Sequence, residues 1–356
     1  MHELNILAGS GGQRSTRSTM ILLATGYETS GRACPPTNDA RWLHLKELSL
    51  AERIYIDRPL PPGFDELFGP DWDVYGPDPA ELPTCRAAIA GSSLWGPERI
   101  AEGTVLEVIS RSGIGYDTVD LAAAAAQGVV VCNTPDAPSI STAEHTLSLL
   151  MAATKFTANN VARLRQGRID YYAANEGIEL SGATIGVVGF GRIGSRVARI
   201  AAAMDMRVIV CDPYVEVAEH EQVDMETILT ESRVITMHTP LTDETHNMLD
   251  AAAFEAMQHG VVIVNASRGG VIDTQALIGA LDSGKVYAAG LDVTAPEPLD
   301  PDHTLLNRDN VVVTPHIASA TDKGRKRMYR GAIENARQVL AGTRPVNVVN
   351  PDVYER

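Results

Sequence analysis

Residues 184 to 194 constrain this chain more than any other stretch. Thr184-Ile185-Gly186-Val187-Val188 is a short apolar run of strand character, and it leads directly into Gly189-Phe190-Gly191-Arg192-Ile193-Gly194. An alanine-rich helical segment, 195–203, follows, and the next apolar run, 207–211, gives way to Asp212, 18 residues after Gly194. In such a strand–turn–helix unit Gly189 permits the tight turn and Gly191 lets the backbone approach a pyrophosphate. Gly194 lets the helix lie against the strand. The free N–H groups and partial positive charge of the helix start then face the phosphates. A glycine triplet alone is weak evidence. With strand, helix and acid around it, the stretch reads as a dinucleotide site.

The chain has 356 residues, too many for one ordinary core, so two domains are expected. Its 44% hydrophobic and 21% charged content fits a soluble globular protein. A net charge of −15 argues against a nucleic-acid partner, whose phosphates need a basic surface. Small anionic substrates stay possible, because a few local arginines outweigh a diffuse field at short range. Cys34, Cys85, Cys132 and Cys211 are scattered without a C-x-x-C pair. They read as reduced thiols of a cytoplasmic protein, not as a disulfide or zinc framework, and no metal site is expected. No run reaches membrane-span length and no secretory leader is recognisable, so neither a membrane nor secretion is expected.

Residues 1–49 are rich in Gly, Ser and Thr and read as an N-terminal extension; the glycines at 9–12 lack the lysine of a phosphate-binding loop. Strand candidates follow at 53–57, 72–75, 87–90, 105–110 and 129–132, with helix-compatible pieces at 64–68 and 118–127, suggesting a small parallel sheet. One long helix is expected over 144–165, capped from the Ser139–Thr142 side, with His145 as a packing or surface residue. Six apolar runs then recur, at 185–188, 208–211, 234–238, 261–266, 287–293 and 311–314. Helices such as 250–258 and 274–283 separate them, the pattern of a doubly wound nucleotide-binding sheet. A last amphipathic helix, 322–341, precedes an extended tail, 345–356. Coming after the sixth strand, that helix is expected to cross back onto the first domain and make it discontinuous.

Ligands of such sheets bind at the carboxyl ends of the strands. Asp212, Arg268, Asp292 and His316 all fall there, and Glu297 follows the fifth strand between two prolines. Arginine offers a planar fork that suits a carboxylate. Histidine can give a proton to a carbonyl oxygen as hydride arrives, and a neighbouring carboxylate favours its charged form. Singly, each residue is as well explained by packing or a surface ion pair. Jointly, they describe reversible reduction of a 2-oxo acid to a 2-hydroxy acid.

These residues sit within a larger ordered set. It comprises Arg111-Ser112-Gly113-Ile114-Gly115-Tyr116-Asp117-Thr118-Val119-Asp120, Asn133-Thr134-Pro135, Ala143-Glu144-His145, the glycine triplet, and His238-Thr239-Pro240-Leu241-Thr242. Asn265-Ala266-Ser267-Arg268-Gly269-Gly270, Gly290-Leu291-Asp292-Val293, Glu297-Pro298 and Thr314-Pro315-His316-Ile317-Ala318 complete it. From about residue 53 to the C-terminus the chain resembles the D-isomer-specific 2-hydroxyacid dehydrogenases. The resemblance implies an α/β chain of two doubly wound parallel-sheet domains, a Rossmann NAD-binding domain (143–321) inserted in a flavodoxin-like substrate domain (50–142 and 322–356). It implies Arg268 on the substrate carboxylate and keto oxygen, His316 as acid/base and Glu297 as its partner. NAD would be held by Gly189, Gly191, Arg192, Ile193 and Gly194, by Asp212 on the ribose, and by His238, Thr239, Ala266 and Asp292 towards the nicotinamide, with Asp292 on the carboxamide. An acid at 212 would disfavour the 2′-phosphate of NADP. Backbone N–H groups of Gly91, Ser92 and Ser93 would meet the substrate carboxylate. A homodimer, formed around the Glu144 helix, is the implied assembly.

The chain departs from phosphoglycerate-specific relatives in having Gly91 where they tend to carry a phosphate-holding arginine, although the tail 346–351 resembles theirs. With so few residues after the last helix, no C-terminal regulatory domain is expected. Trp95 is either a pocket wall or an interior aromatic. The rival from another class is an NAD(H)-sensing corepressor, which would bind NADH with little turnover. A formate-type dehydrogenase is disfavoured, since glutamine would be expected where Glu297 stands.

Overall fold

The computed structural model describes residues 51–168 and 176–355; the N-terminal extension and Cys34 lie outside them. The first sheet is built from β1 (Glu52–Ile56), β2 (Trp72–Tyr75), β3 (Ala87–Ala90), α1 (Pro97–Glu102), β4 (Val108–Arg111), α2 (Leu121–Gln127) and β5 (Val130–Cys132). Its strands are all parallel, in the order β2-β1-β3-β4-β5, the flavodoxin-like arrangement. Every residue of β3, β4 and β5 is buried, as covered parallel strands require. The loop between β4 and α2 ends at Asp120, whose carboxylate caps α2 through the Ala123 N–H at 2.8 Å.

The connection between the sheets is not the single helix expected over 144–165. It is α3 (Ser139–Thr154) followed by α4 (Thr157–Arg165). The first starts earlier: Pro138 stands at its N-cap, and its carbonyl accepts the Thr142 N–H at 2.9 Å. Ser141 and Thr142 are therefore interior residues, not caps. The break falls at Phe156, whose backbone takes the left-handed conformation (φ 50). That turn buries its ring edge-on against Tyr287, with centroids 5.5 Å apart. Burial of an aromatic ring offsets the cost of a non-glycine residue there.

The second sheet follows with β6 (Thr184–Val188), α5 (Gly194–Ala203), β7 (Arg207–Cys211), β8 (Glu221–Gln222), α6 (Met225–Glu231) and β9 (Val234–Met237). It is completed by α7 (Ala251–Ala256), β10 (Val261–Asn265), α8 (Thr274–Asp282), β11 (Val286–Leu291) and β12 (Val311–Val313). Seven parallel strands lie in the order β12-β11-β10-β9-β6-β7-β8, the Rossmann order with one strand beyond it. The strand missing from the six expected is β8. Its two residues are exposed and polar, and carry no apolar signal. It is fixed to the edge by Arg207 pairing with Glu221 at 2.8 Å and by Gln222 donating to the Asp212 carbonyl at 2.7 Å.

The last helix, α9 (Asp322–Leu340), is capped by Thr321, whose hydroxyl accepts the Gly324 N–H at 3.0 Å. It buries Met328, Tyr329, Ala332, Ile333 and Ala336, one stripe at helical spacing. Tyr329, Ala332, Ile333 and Ala336 share a core with Ile54, Ile56, Ala87, Ile89 and Val108 of the first sheet, so the helix does cross back. The fold is thus two parallel-sheet α/β layers, with the long strand-end loops of both available for a site.

Candidate active site

The glycine loop between β6 and α5 has the shape its sequence implies. Gly189 has φ +91, and a Cβ there would lie 2.8 Å from the His238 carbonyl carbon and oxygen at the end of β9. A Cβ on Gly194 would sit 2.0 Å from the Gly189 carbonyl oxygen, so only glycine lets α5 start this close to the turn. Gly191 is different: nothing lies within 4 Å of its missing Cβ. That open space, beside the N-terminus of a ten-residue helix, fits a pyrophosphate. Ile193 is the N-cap residue of α5. Asp212 accepts the Phe190 N–H at 2.7 Å on one oxygen and the Tyr214 N–H at 2.9 Å on the other. It stands immediately after β7, at the carboxyl end of that strand. Across the cleft floor, the Thr239 hydroxyl is buried without a hydrogen-bond partner among the described residues. An orphaned donor costs stability unless a ligand satisfies it. Arg192, exposed, pairs instead with Asp136 of the segment leading into α3.

Arg268 is presented by the turn after β10. Asn265, buried at the strand end, accepts the N–H and hydroxyl of Ser267 at 2.9 and 2.8 Å and donates to the Arg268 carbonyl at 2.8 Å. Ala266 is buried within the same turn. His316 follows β12 and is one of the few described non-glycine residues with positive φ (52), a conformation histidine tolerates better than most. Its Nδ1 lies 2.6 Å from Glu297 Oε1, and its Nε2 has no hydrogen-bond partner among the described residues. Partial burial pushes the Glu297 carboxyl up, but His316, the Thr294 N–H and Arg268 outweigh it and hold the acid below the usual range. Glu297 is therefore an anion that can accompany a histidine cation.

Asp292 holds this histidine loop in place. Its fully buried carboxylate accepts the Thr314 hydroxyl at 2.6 Å and the Ile317 and Ala318 N–H groups at 2.9 and 2.8 Å. His145 on α3 lies 3.2 Å from the same carboxylate and 2.9 Å from the Thr314 hydroxyl. His145 is thus a packing histidine, as its sequence context implied, but one packed onto the site's central acid.

The substrate loop differs from expectation in one respect. The Gly91 N–H is not free for a ligand: it donates to both Asp57 oxygens, at 2.9 and 2.8 Å. Ser92 and Ser93 remain as the loop's backbone donors. Trp95 is no pocket wall; it is fully buried, and its indole N–H reaches Asp57 Oδ2 at 3.2 Å. Arg58 carries no signal in the sequence. Its guanidinium lies flat over Gly91, where a Cβ would be 1.9 Å from Nη2. Arg111, also unassigned from sequence, joins the Gly91 loop to the loop after β4, donating to the Ala90 and Gly115 carbonyls at 2.9 and 2.7 Å. Burial pushes it down to about 10, with Asp57 and Asp117 favouring its charge and Arg58 and Arg268 opposing it. Arg58 and Arg268 thus both bear on the charge of Arg111. Asp117 has no sequence signal beyond its place in a motif, yet it pairs directly with Arg268 at 2.9 Å. Nothing local in the sequence signals a contact between residues 151 positions apart.

The family described as D-isomer specific 2-hydroxyacid dehydrogenase, NAD binding domain, matches residues 147–318, so the nucleotide that the glycine loop fits is NAD. The glyoxylate reductase of Aeropyrum pernix is 34% identical over 329 residues, covering 85% of this chain and 97% of that protein. The D-3-phosphoglycerate dehydrogenase of Archaeoglobus fulgidus is 41% identical over 250 residues, 69% of this chain but 47% of the relative. The chain thus spans about half the length of the phosphoglycerate dehydrogenases it matches. Among solved structures, the TT0316 protein from Thermus thermophilus superposes with a TM-score of 0.77 at 36% identity, covering 83% of this chain and 99% of that one. The chain belongs to the D-isomer-specific 2-hydroxyacid dehydrogenase family.

Proposed function

We propose that this protein interconverts a 2-oxo acid and a D-2-hydroxy acid with NAD. The observation that carries the reading is the 2.6 Å contact of His316 with Glu297, whose carboxyl also feels the charge of Arg268, all three residues following strands of the sheet that carries the glycine loop. NADH, when bound, supplies the hydride. Arg268 grips the substrate carboxylate and polarises the keto oxygen. His316 Nε2 gives that oxygen its proton, and Glu297 on Nδ1 steadies the charged imidazole. In the reverse direction the same nitrogen takes the proton from the alcohol. Gly189, Gly191, Arg192, Ile193 and Gly194 hold the pyrophosphate, Arg192 after leaving Asp136. Asp212 takes the ribose. Thr239 and Ala266 line the nicotinamide end, and Asp292, beneath the histidine loop it holds, stands on the carboxamide side. The substrate domain of this reading is 50–142 with 322–356, and the NAD-binding domain is 143–321. Exposed Ile140, Met151, Val161 and Leu164 on α3 and α4 support a homodimer formed there.

Arg58 favours a substrate with a second anionic group. It supplies, over Gly91, the cation that this position itself lacks, so 3-phosphohydroxypyruvate belongs in the assay beside glyoxylate, hydroxypyruvate and pyruvate. Purified protein should consume NADH with at least one of these acids, read as loss of its near-ultraviolet absorbance. His316→Ala and Arg268→Ala should each cost about 10²-fold or more in kcat/KM. Tight NADH binding with no turnover across the panel would replace this reading with the sensor.

A further inference from the structure

Arg268 is held on two sides before any substrate arrives. Its Nε and Nη2 both donate to Asp117 Oδ1, at 3.1 and 2.9 Å, and its Nη1 donates to the Ser267 carbonyl at 2.8 Å. A guanidinium carries five N–H groups. Among the described residues three are engaged, and the remaining two sit one on each terminal nitrogen, the pair a carboxylate needs for a two-point grip. Arg268 follows β10 of the second sheet, whereas Asp117 lies between β4 and α2 of the first, so the pair spans both. The Asp117 loop is itself anchored. Arg111 donates to the Gly115 carbonyl at 2.7 Å, Asn133 to the Ile114 carbonyl at 2.7 Å, and the Thr134 N–H to the Gly113 carbonyl at 2.9 Å. Gly115 is the floor of the contact: a Cβ there would lie 1.5 Å from Arg268 Nη2 and 2.8 Å from Asp117 Oδ1. Partial burial pushes the Asp117 carboxyl up, but the charge and hydrogen bonds of Arg268, with Arg111, outweigh it and keep it ionised.

We propose that Asp117 is a positioning residue: reaching across from the first sheet, it holds one edge of the Arg268 guanidinium so that the other edge meets the substrate carboxylate. This rests on the 2-oxo-acid reading. The anionic partner removes a rotational freedom that an unpaired arginine would lose at each binding event. It also makes the grip of Arg268 depend on the two sheets coming together, because neither sheet supplies both members.

The test uses Asp117→Ala and Asp117→Asn in steady-state kinetics. It adds calorimetric titration of oxamate, a non-reducible 2-oxo-acid analogue, into NADH-loaded protein. In the alanine variant oxamate should bind about tenfold more weakly and the KM for the 2-oxo acid should rise by a similar factor, with NADH affinity unchanged. The asparagine variant keeps an acceptor oxygen and should fall between alanine and wild type. Unchanged oxamate affinity and KM would overturn the proposal, and so would tighter oxamate binding, which would make Asp117 a competitor of the substrate. Loss of NADH affinity in both variants would overturn it too, since the residue would then support the fold rather than the arginine. Wild-type protein that binds oxamate but reduces no 2-oxo acid would remove the dehydrogenase reading, while the oxamate comparison still decides the role of Asp117. Wild-type protein that binds no oxamate would sink both.

Discussion

His238 ties the floor of the nucleotide cleft to acid sensitivity. Its backbone packs against Gly189, while its Nδ1 is buried without a partner among the described residues and its Nε2 meets only the Thr236 hydroxyl at 3.0 Å. Burial pushes the imidazole down to about 4, so the folded protein resists protonating it. The unfolded chain takes that proton at about 6.5. The stabilising contribution is therefore fully present above the unfolded value and is lost as pH falls towards the folded one. Between pH 7 and pH 5 the loss should be up to about 2 kcal/mol, an upper figure because the residue keeps some exposure. Urea unfolding of cofactor-free protein at both pH values checks this. His238→Gln should remove most of that difference, and a variant that retains it in full would show the acid sensitivity to lie in other groups.

Among the elements, β5 poses the problem of an exposed sheet edge. It ends the first sheet, yet all three of its residues are buried, because the C-terminal tail covers the open side. Cys132 bridges antiparallel to Val348, and the Val349 N–H donates to the Val131 carbonyl at 2.8 Å. Asn350 completes the seal: its Oδ1 accepts the Val131 N–H at 2.8 Å and its Nδ2 donates to the Val129 carbonyl at 2.9 Å. Asn350→Ala leaves a buried donor and a buried acceptor unpaired and should cost about 2–3 kcal/mol in equilibrium unfolding. A cost under about 0.5 kcal/mol would mean the tail seals nothing. This tail was legible only as extended chain, since its partner strand lies more than 200 positions away in sequence. The same contrast runs through the fold. Strands β6, β7, β9, β10 and β11 announce themselves as apolar runs because their middles are buried on both faces, and the half-buried edge strand β12 does so through its three valines. The polar β8 has no such demand, and the α3–α4 break is imposed by Tyr287 from another element. In the site, Arg268, Glu297 and His316 were legible because strand ends are where such folds place ligands. Arg58 and Asp117 were not, because their positions follow from packing over Gly91 and across to Arg268.

At the scale of the whole molecule, the chain passes from the first sheet to the second once, at the start of α3, and returns once, at the start of α9. The two crossovers touch: the Ser141 and Thr321 hydroxyls lie 2.7 Å apart. Gly324, in the first turn of α9, fills the angle between them. A Cβ there would lie 2.6 Å from Ser141 Oγ, 2.7 Å from Thr321 Oγ1 and 2.8 Å from the Ser319 carbonyl oxygen. The first two could rotate away, but Thr321 would then stop capping α9 and the hydroxyl contact would be lost. The third is backbone and can yield only if the return crossover shifts. Gly324→Ala should therefore destabilise the protein by about 1–3 kcal/mol, although alanine is the better helix former at an ordinary position. Adding Ser141→Gly relieves one of the three clashes, so the double variant should recover part of the loss, a non-additivity expected of residues in contact. Chemical unfolding of the two single variants and the double variant reads this directly. A Gly324→Ala protein as stable as wild type would show that the crossovers move freely past one another, and that the juncture sets neither the approach of the sheets nor the meeting of Asp117 with Arg268.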